Sequence, residues 1–256
     1  MRFISGRLRL FVLAASLLPG ALCAADIVTV AVASNFAETA QAVASAFSRE
    51  SAVTVRTSYG STGKLYAQII NGAPFDVFLA ADAERPALLE QSGFAVIGSR
   101  RTYATGSLVL WSRDEKLRGK DCREALGQGK YNHVALANPS TAPYGMAALE
   151  FLKGAGLWES ASTRAVFGEN ISQALQFVAT GNATLGFIAK AQTMHPELPR
   201  AACSWPVPLS EHAPLHQQVV LLKRAQRNVG ARLFVDFLRT PAARRIMEQR
   251  GYQVAD

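Results

Sequence analysis

The sequence predicts an α/β protein of two lobes, each a mostly parallel sheet flanked by helices, with a ligand cleft between them. Three observations predict it. Runs of β-type composition alternate with helix-type runs along almost the whole chain, the order that builds β-α-β units. A second set of such units begins after Leu108-Val-Leu-Trp111. Short polar loops, Ser34-Asn35, Ser61-Thr62-Gly63, Ala142-Pro-Tyr-Gly145 and Asn170-Ile171, each follow a strand and precede a helix. Open α/β sheets hold ligands at that edge.

The first residues stand apart from this pattern. Arg2, Arg7 and Arg9 precede the apolar stretch Leu10 to Leu18, and small residues follow, the layout of a secretory signal peptide. Cleavage after Ala25 places Cys23 and Ala25 at the two small-residue positions, whereas cleavage after Ala24 would place Leu22 at one of them. A mature start at Asp26 is therefore expected, and the bulky Leu22 also argues against a lipoprotein anchored through Cys23. The apolar stretch is shorter than the roughly 20 residues of a membrane helix, and nothing later in the chain approaches that length.

Ile27 to Val32 reads as the first strand, and a helix starts at Asn35 with apolar residues at Phe36, Ala40, Val43, Ala44 and Phe47. Val53 to Thr57 and Phe75 to Ala80 are further strands, and the helix between them is ended by Asn71-Gly72 with Pro74 beyond. In the second set, His133 to Ala137 leads into a helix over Met146 to Lys153, and Ala165 to Phe167 into one over Ile171 to Ala179. The strands Leu185 to Ile188 and Gln217 to Leu222 follow, and helices around Arg232 to Leu238 and Ala242 to Met247 finish the chain. The chain is expected to cross between lobes near Thr105 and near Gln218. The resulting division is a signal peptide over 1–25, a first domain over 26–105 and 219–256, and a second, inserted domain over 106–218.

Composition narrows the function. Loss of the three leader arginines lowers Lys plus Arg from 27 to 24 against 19 acids, leaving a mature net charge of about +5. That balance suits a small anion. Eight of the basic residues fall between Lys223 and Arg250 on amphipathic helices without a nucleic-acid recognition motif, so they are expected to form a solvated face and not a nucleic-acid site. At 49% apolar residues the chain can build a full core. Only Cys122 and Cys203 remain after processing. In an oxidising compartment the two can join, and we expect that they do; the alternative is two free buried thiols.

The stretch Ser58-Tyr-Gly-Ser-Thr-Gly-Lys64 resembles a phosphate loop, but it has Ser58 where the nucleotide pattern needs glycine and Leu65 where it needs a magnesium-binding hydroxyl. Nucleotide hydrolysis is therefore not expected. Its unpaired N–H groups at a helix start still suit an anion, although Ser61 or Thr62 could simply cap the helix. Asn35 with Glu38 likewise fits a capping box. Ser61-x-x-Lys64 matches the acylating motif of penicillin-recognising enzymes, whose Ser-Asp-Asn and Lys-Thr-Gly elements do not occur here. His212 and His216 are spaced as a metal pair, yet Pro214 breaks the helix that would align them. No enzyme activity, cofactor or metal cation is expected. What remains is a set of neutral donors without a carboxylate: the hydroxyls of Ser34 and Thr62, the Asn35 amide, and the backbone N–H groups of Tyr144 and Ile171. Such a set favours an oxyanion that carries no proton.

Over essentially the whole mature chain, through "VASNFAE", "YGSTGKLYAQIINGAPFDVFLAADAE", "YATGSLVLWS", "ANPSTAPYG" and "ATLGFIA", the sequence resembles the periplasmic molybdate-binding proteins of ABC-type importers. The resemblance implies a type II binding-protein fold with the second domain inserted in the first. It also implies capture of molybdate, and usually tungstate, for an inner-membrane permease and its cytoplasmic ATPase, by a periplasmic protein taken as a monomer. Family ligand contacts carry over onto Ser34, Thr62 and the N–H groups of Tyr144 and Ile171. One branch adds an amide side chain beside the first hydroxyl, which matches Asn35. Another branch uses a tyrosine after the "LGFI" strand, where this chain has Ala189. A protein of the same fold that binds another oxyanion, such as sulfate, is the alternative.

Overall fold

The computed structural model describes residues 27–254. The signal peptide and the expected start at Asp26 lie outside the described residues. The chain begins with β1 (Ile27–Ala33), a 3-10 turn over Ser34–Phe36, α1 (Ala37–Ser51), β2 (Thr54–Gly60), α2 (Thr62–Ile70), β3 (Val77–Ala80), α3 (Glu84–Gln91) and β4 (Arg101–Gly106). It continues through β5 (Leu108–Ser112), α4 (Cys122–Gly127), β6 (Val134–Ala137), α5 (Pro143–Gly154), α6 (Trp158–Ser162), β7 (Ala165–Gly168), α7 (Ile171–Ala179), β8 (Leu185–Ala189) and β9 (Cys203–Pro206). Then β10 (Leu215–Leu221), α8 (Val229–Phe237) and α9 (Pro241–Gln249) follow.

These strands form two five-stranded sheets, ordered β2-β1-β3-β10-β4 and β7-β6-β8-β5-β9. In the first sheet β1 runs parallel to β2 and β3, and β10 is antiparallel to both β3 and β4. In the second, β6 is parallel to β7 and β8, and β5 is antiparallel to β8 and β9. Each sheet thus has a single reversed strand. In both cases it is the strand by which the chain arrives from the other lobe.

Period-two alternation divides each strand between two helical layers. Val28, Val30 and Val32 of β1 pack with Phe36, Phe47, Phe234 and Met247 on one face, and Ala31 packs with Leu65, Ile69, Phe78 and Leu89 on the other. In the second lobe β5 and β8 are buried along their whole length, as expected of strands covered on both sides. The Cys122–Cys203 disulfide ties the start of α4 to the start of β9, with Cα atoms 5.6 Å apart.

The structure differs from the sequence expectation at two strands and one boundary, and it adds the helices α3, α4 and α6. β4 and β9 carry too few apolar residues to stand out, since Arg101-Thr-Tyr-Ala-Thr-Gly106 is largely polar and Cys203-Ser-Trp-Pro206 ends in proline on a sheet edge. The return crossing lies between Pro206 and Leu215, so the boundary expected between 218 and 219 falls inside β10. The polar pair Gln217-Gln218 hides the start of that strand, although Leu215 and His216 already face Gly106 and Thr105 of β4.

Candidate anion site

Loops after β1, β2, β6 and β7 meet between the lobes around a small cavity of about 10 Å³. Ser34, Asn35, Ser61, Thr62, Pro143, Tyr144 and Ile171 line it, together with Ala33, Gly60, Ala81 and Ala142. No charged side chain is among them. The volume lies far below the range of pockets that take drug-sized ligands, so the site suits a molecule of a few heavy atoms at most.

Each loop presents donors for a local reason. Asn170 caps α7 by accepting from the N–H groups of Ser172 (3.0 Å) and Gln173 (3.2 Å), which leaves the N–H of Ile171 outside the cap. Pro143 occupies the first position of α5 and has no N–H, so Tyr144 supplies the first donor of that helix. Thr62 Oγ1 accepts from the backbone N–H of Ala81 (3.1 Å), which leaves its own proton to donate. At the first loop the chain makes a 3-10 turn over Ser34–Phe36 before α1, and no side chain caps either segment.

The capping box expected from Asn35 and Glu38 therefore does not form. The Asn35 amide donates to Gln217 Oε1 (2.8 Å) and to the Tyr252 hydroxyl (3.1 Å), while that hydroxyl donates to the Asn35 carbonyl (2.8 Å). Glu38 instead faces Arg250 (3.6 Å) and His195 (3.5 Å). Ser61 stands at the N-cap position of α2 but makes no side-chain cap bond.

Direct contacts join the lobes beside the cavity. The Gly63 N–H donates to the Thr141 carbonyl (2.8 Å), Lys64 pairs with Glu169 (2.8 Å), and Ser172 Oγ donates to the Ser34 carbonyl (3.4 Å). Lys64 accordingly faces away from the site, and it draws Glu169, the one carboxylate beside the fourth loop, away with it. Behind the first loop lie the Tyr103, Tyr144 and Tyr252 rings, whose hydroxyls burial pushes above the usual phenol range. They stay protonated, so no phenolate charge opposes an anion in front of them.

This architecture has counterparts among known proteins. A family profile described as bacterial extracellular solute-binding protein matches residues 28–253. The chain belongs to that family. The molybdate-binding protein ModA of Rhodobacter capsulatus is 43% identical to it over 229 residues, covering 90% of this chain and 89% of the relative. ModA of Azotobacter vinelandii is 44% identical over 240 residues, with 94% of each chain covered. The solved Azotobacter vinelandii periplasmic molybdate-binding protein superposes with a TM-score of 0.83 and 35% identity, over 90% of this chain and all of that one. The sulfate-binding protein SubI of Mycobacterium tuberculosis, at 16% identity and a TM-score of 0.72, shares the fold.

In this solute-binding protein the five residues singled out in the sequence, Ser34, Asn35, Thr62, Tyr144 and Ile171, all line one cavity. The sequence did not reveal the support behind them. Gln217 and Tyr252 lie 182 and 217 positions from Asn35, and only the folded sheet brings them together. Gln217 is fully buried in β10, but in the sequence it stands between His216 and Gln218 and is not distinguished from them. The histidines that looked like a metal pair have separate settings: His212 Nδ1 lies 2.8 Å from the Ala213 carbonyl, and His216 Nδ1 lies 3.3 Å from Thr105 Oγ1.

Proposed function

We propose that this solute-binding protein captures molybdate, and tungstate with it, in the periplasm and delivers it to the permease of an ABC importer driven by a cytoplasmic ATPase. It acts as a monomer and catalyses no reaction of its own. The observation that carries this function is the small cavity of neutral donors at the ends of four strands, without a carboxylate in its lining. Helix N-termini and hydroxyls suit a proton-free dianion, and the relatives with more than 40% identity are named for molybdate.

In this proposal Ser34 and Thr62 donate their hydroxyl protons, and Tyr144 and Ile171 their backbone N–H groups. Asn35 contributes its backbone N–H from the first turn, with its amide held by Gln217 and Tyr252. The lobes, residues 27–106 with 215–254 against 108–206, part at Ser107 and at the segment before Leu215 to admit the anion. Thermal melting of the mature protein across molybdate, tungstate, sulfate and phosphate tests it, because a ligand that binds only the folded state raises the melting temperature. Molybdate and tungstate should give the largest shifts. A larger shift with sulfate would reassign the ligand, and no shift with any oxyanion would end the proposal.

A further inference from the structure

Ser61 lines the cavity and is 3% exposed, yet its hydroxyl has no hydrogen-bond partner among the described residues. That is unusual, because buried polar atoms nearly always find one. The expected partner is missing for a visible reason. A serine at the N-cap of a helix accepts from an N–H two or three residues on, but the N–H of Gly63 is directed across the cleft to the Thr141 carbonyl (2.8 Å), and Ser61 forms no cap bond.

Among the described residues the other fully buried, unpartnered hydroxyl on a cavity-lining residue belongs to Tyr144, and it is directed toward Gly106 at the crossing between lobes. Thr62, the neighbour of Ser61, has its oxygen engaged by the Ala81 N–H. Ser61 is thus left with both its proton and its lone pairs uncommitted, beside a carboxylate-free cavity. Its proton is the one thing an anion there can use.

We propose that the Ser61 hydroxyl is a further donor to the bound oxyanion, adjacent to Thr62 on the same helix start. This rests on the function proposed above. Adjacent hydroxyls give the α2 end of the cavity two donors to one anion, and the absence of a cap bond leaves Ser61 free to turn its proton toward it. A hydroxyl kept without a partner weakens the unliganded fold and is satisfied only when the ligand arrives.

The test is calorimetric titration with molybdate, with the unliganded melting temperature measured alongside, for the mature protein and for Ser61→Ala. The variant should bind about ten- to a hundredfold more weakly, the usual effect of losing a hydrogen bond to a charged group. Its unliganded melting temperature should be unchanged or higher, because no native bond is removed. Equal affinity in both proteins would overturn the inference alone. A weaker affinity accompanied by a lower unliganded melting temperature would also overturn it, since Ser61 would then be a structural cap. A wild-type protein that binds no oxyanion overturns the proposed function, and this inference with it.

Discussion

The Tyr144 hydroxyl occupies the space that a side chain on Gly106 would need: a methyl group there would lie 2.0 Å from it. Tyr144 opens α5 in the second lobe, and Gly106 ends β4 in the first, one residue before the crossing to β5. The backbone of Tyr144 lines the cavity while its ring reaches the crossing. One residue thus links the ligand loop to the point about which the lobes would move.

Gly106→Ala should therefore disfavour the closed arrangement. Overpacking of this kind costs about 1–3 kcal/mol, and because only the closed form surrounds the ligand, affinity should fall by about tenfold or more. Calorimetry with molybdate, together with small-angle scattering of liganded and free protein, checks it. A variant that binds and compacts like the wild type would show that the contact relaxes without cost.

Thr62→Ala and Asn35→Ala should fail differently, although both residues read alike as donors in the sequence. Thr62→Ala removes a proposed ligand proton and leaves the Ala81 N–H without its acceptor, so binding should weaken about ten- to a hundredfold, with roughly 1 kcal/mol of stability lost. Asn35→Ala removes the partner of Gln217 and Tyr252 in a buried network, so stability should fall by about 1–3 kcal/mol. Denaturant titrations and calorimetry separate the two. Thr62→Ser, which keeps the hydroxyl, should stay close to the wild type.

That contrast marks what could be read in the sequence. Local chemistry was legible: the Asn170-Ile171 and Ser61-Thr62 pairs announce helix starts within a few residues, although the helix expected from Met146 already begins at Pro143. What escaped depends on long-range pairing. Asn35 and Glu38 spell a capping box, and the box loses to a tyrosine near the C-terminus and a glutamine in β10, partners that local sequence cannot supply. β4 and β9 escaped for a related reason. They are edge strands, held by one neighbour each, and need fewer apolar residues.

The Lys64–Glu169 pair crosses the cleft at 2.8 Å with both side chains about half exposed. Ion pairs at such exposure contribute about 0.2–1 kcal/mol and are screened by salt. Lys64→Ala should weaken molybdate binding by no more than about fivefold at low salt, and the difference should shrink as salt rises. A loss of a hundredfold that persisted in high salt would place Lys64 on the ligand itself.

Buried Tyr103, Tyr144 and Tyr252 are pushed above the ordinary phenol value chiefly by loss of solvation. Above about pH 10 the unfolded chain releases phenolic protons that the folded chain retains, so stability falls as pH rises. Below that value these tyrosines contribute no pH dependence. Melting temperatures taken from pH 8 to 11 should bend downward near pH 10, and Tyr103→Phe should soften the bend. An unchanged slope in that variant would remove Tyr103 from the effect.

Selectivity among tetrahedral oxyanions should follow size and protonation more than charge. Molybdate, tungstate and sulfate carry the same charge near neutral pH, so charge cannot separate them. Donors at the starts of α2, α5 and α7 are held at set distances by the contacts between lobes, among them the Gly63 N–H on the Thr141 carbonyl at 2.8 Å. A smaller anion cannot meet donors from both lobes at once, and each buried donor left unpaired costs about 1–3 kcal/mol. Sulfate should therefore bind at least about tenfold more weakly than molybdate. Phosphate meets a second obstacle, because its monohydrogen form brings a proton to a cavity whose lining holds no carboxylate to accept it. Phosphate keeps that proton throughout the range from about pH 7 to 9, so its affinity should stay well below that of molybdate at every pH there, while molybdate affinity stays level. Titration of the mature protein with each anion at one ionic strength checks both orders. Sulfate binding as tightly as molybdate would show that the lobes close further than the structure's cavity, and that size does not sort the dianions.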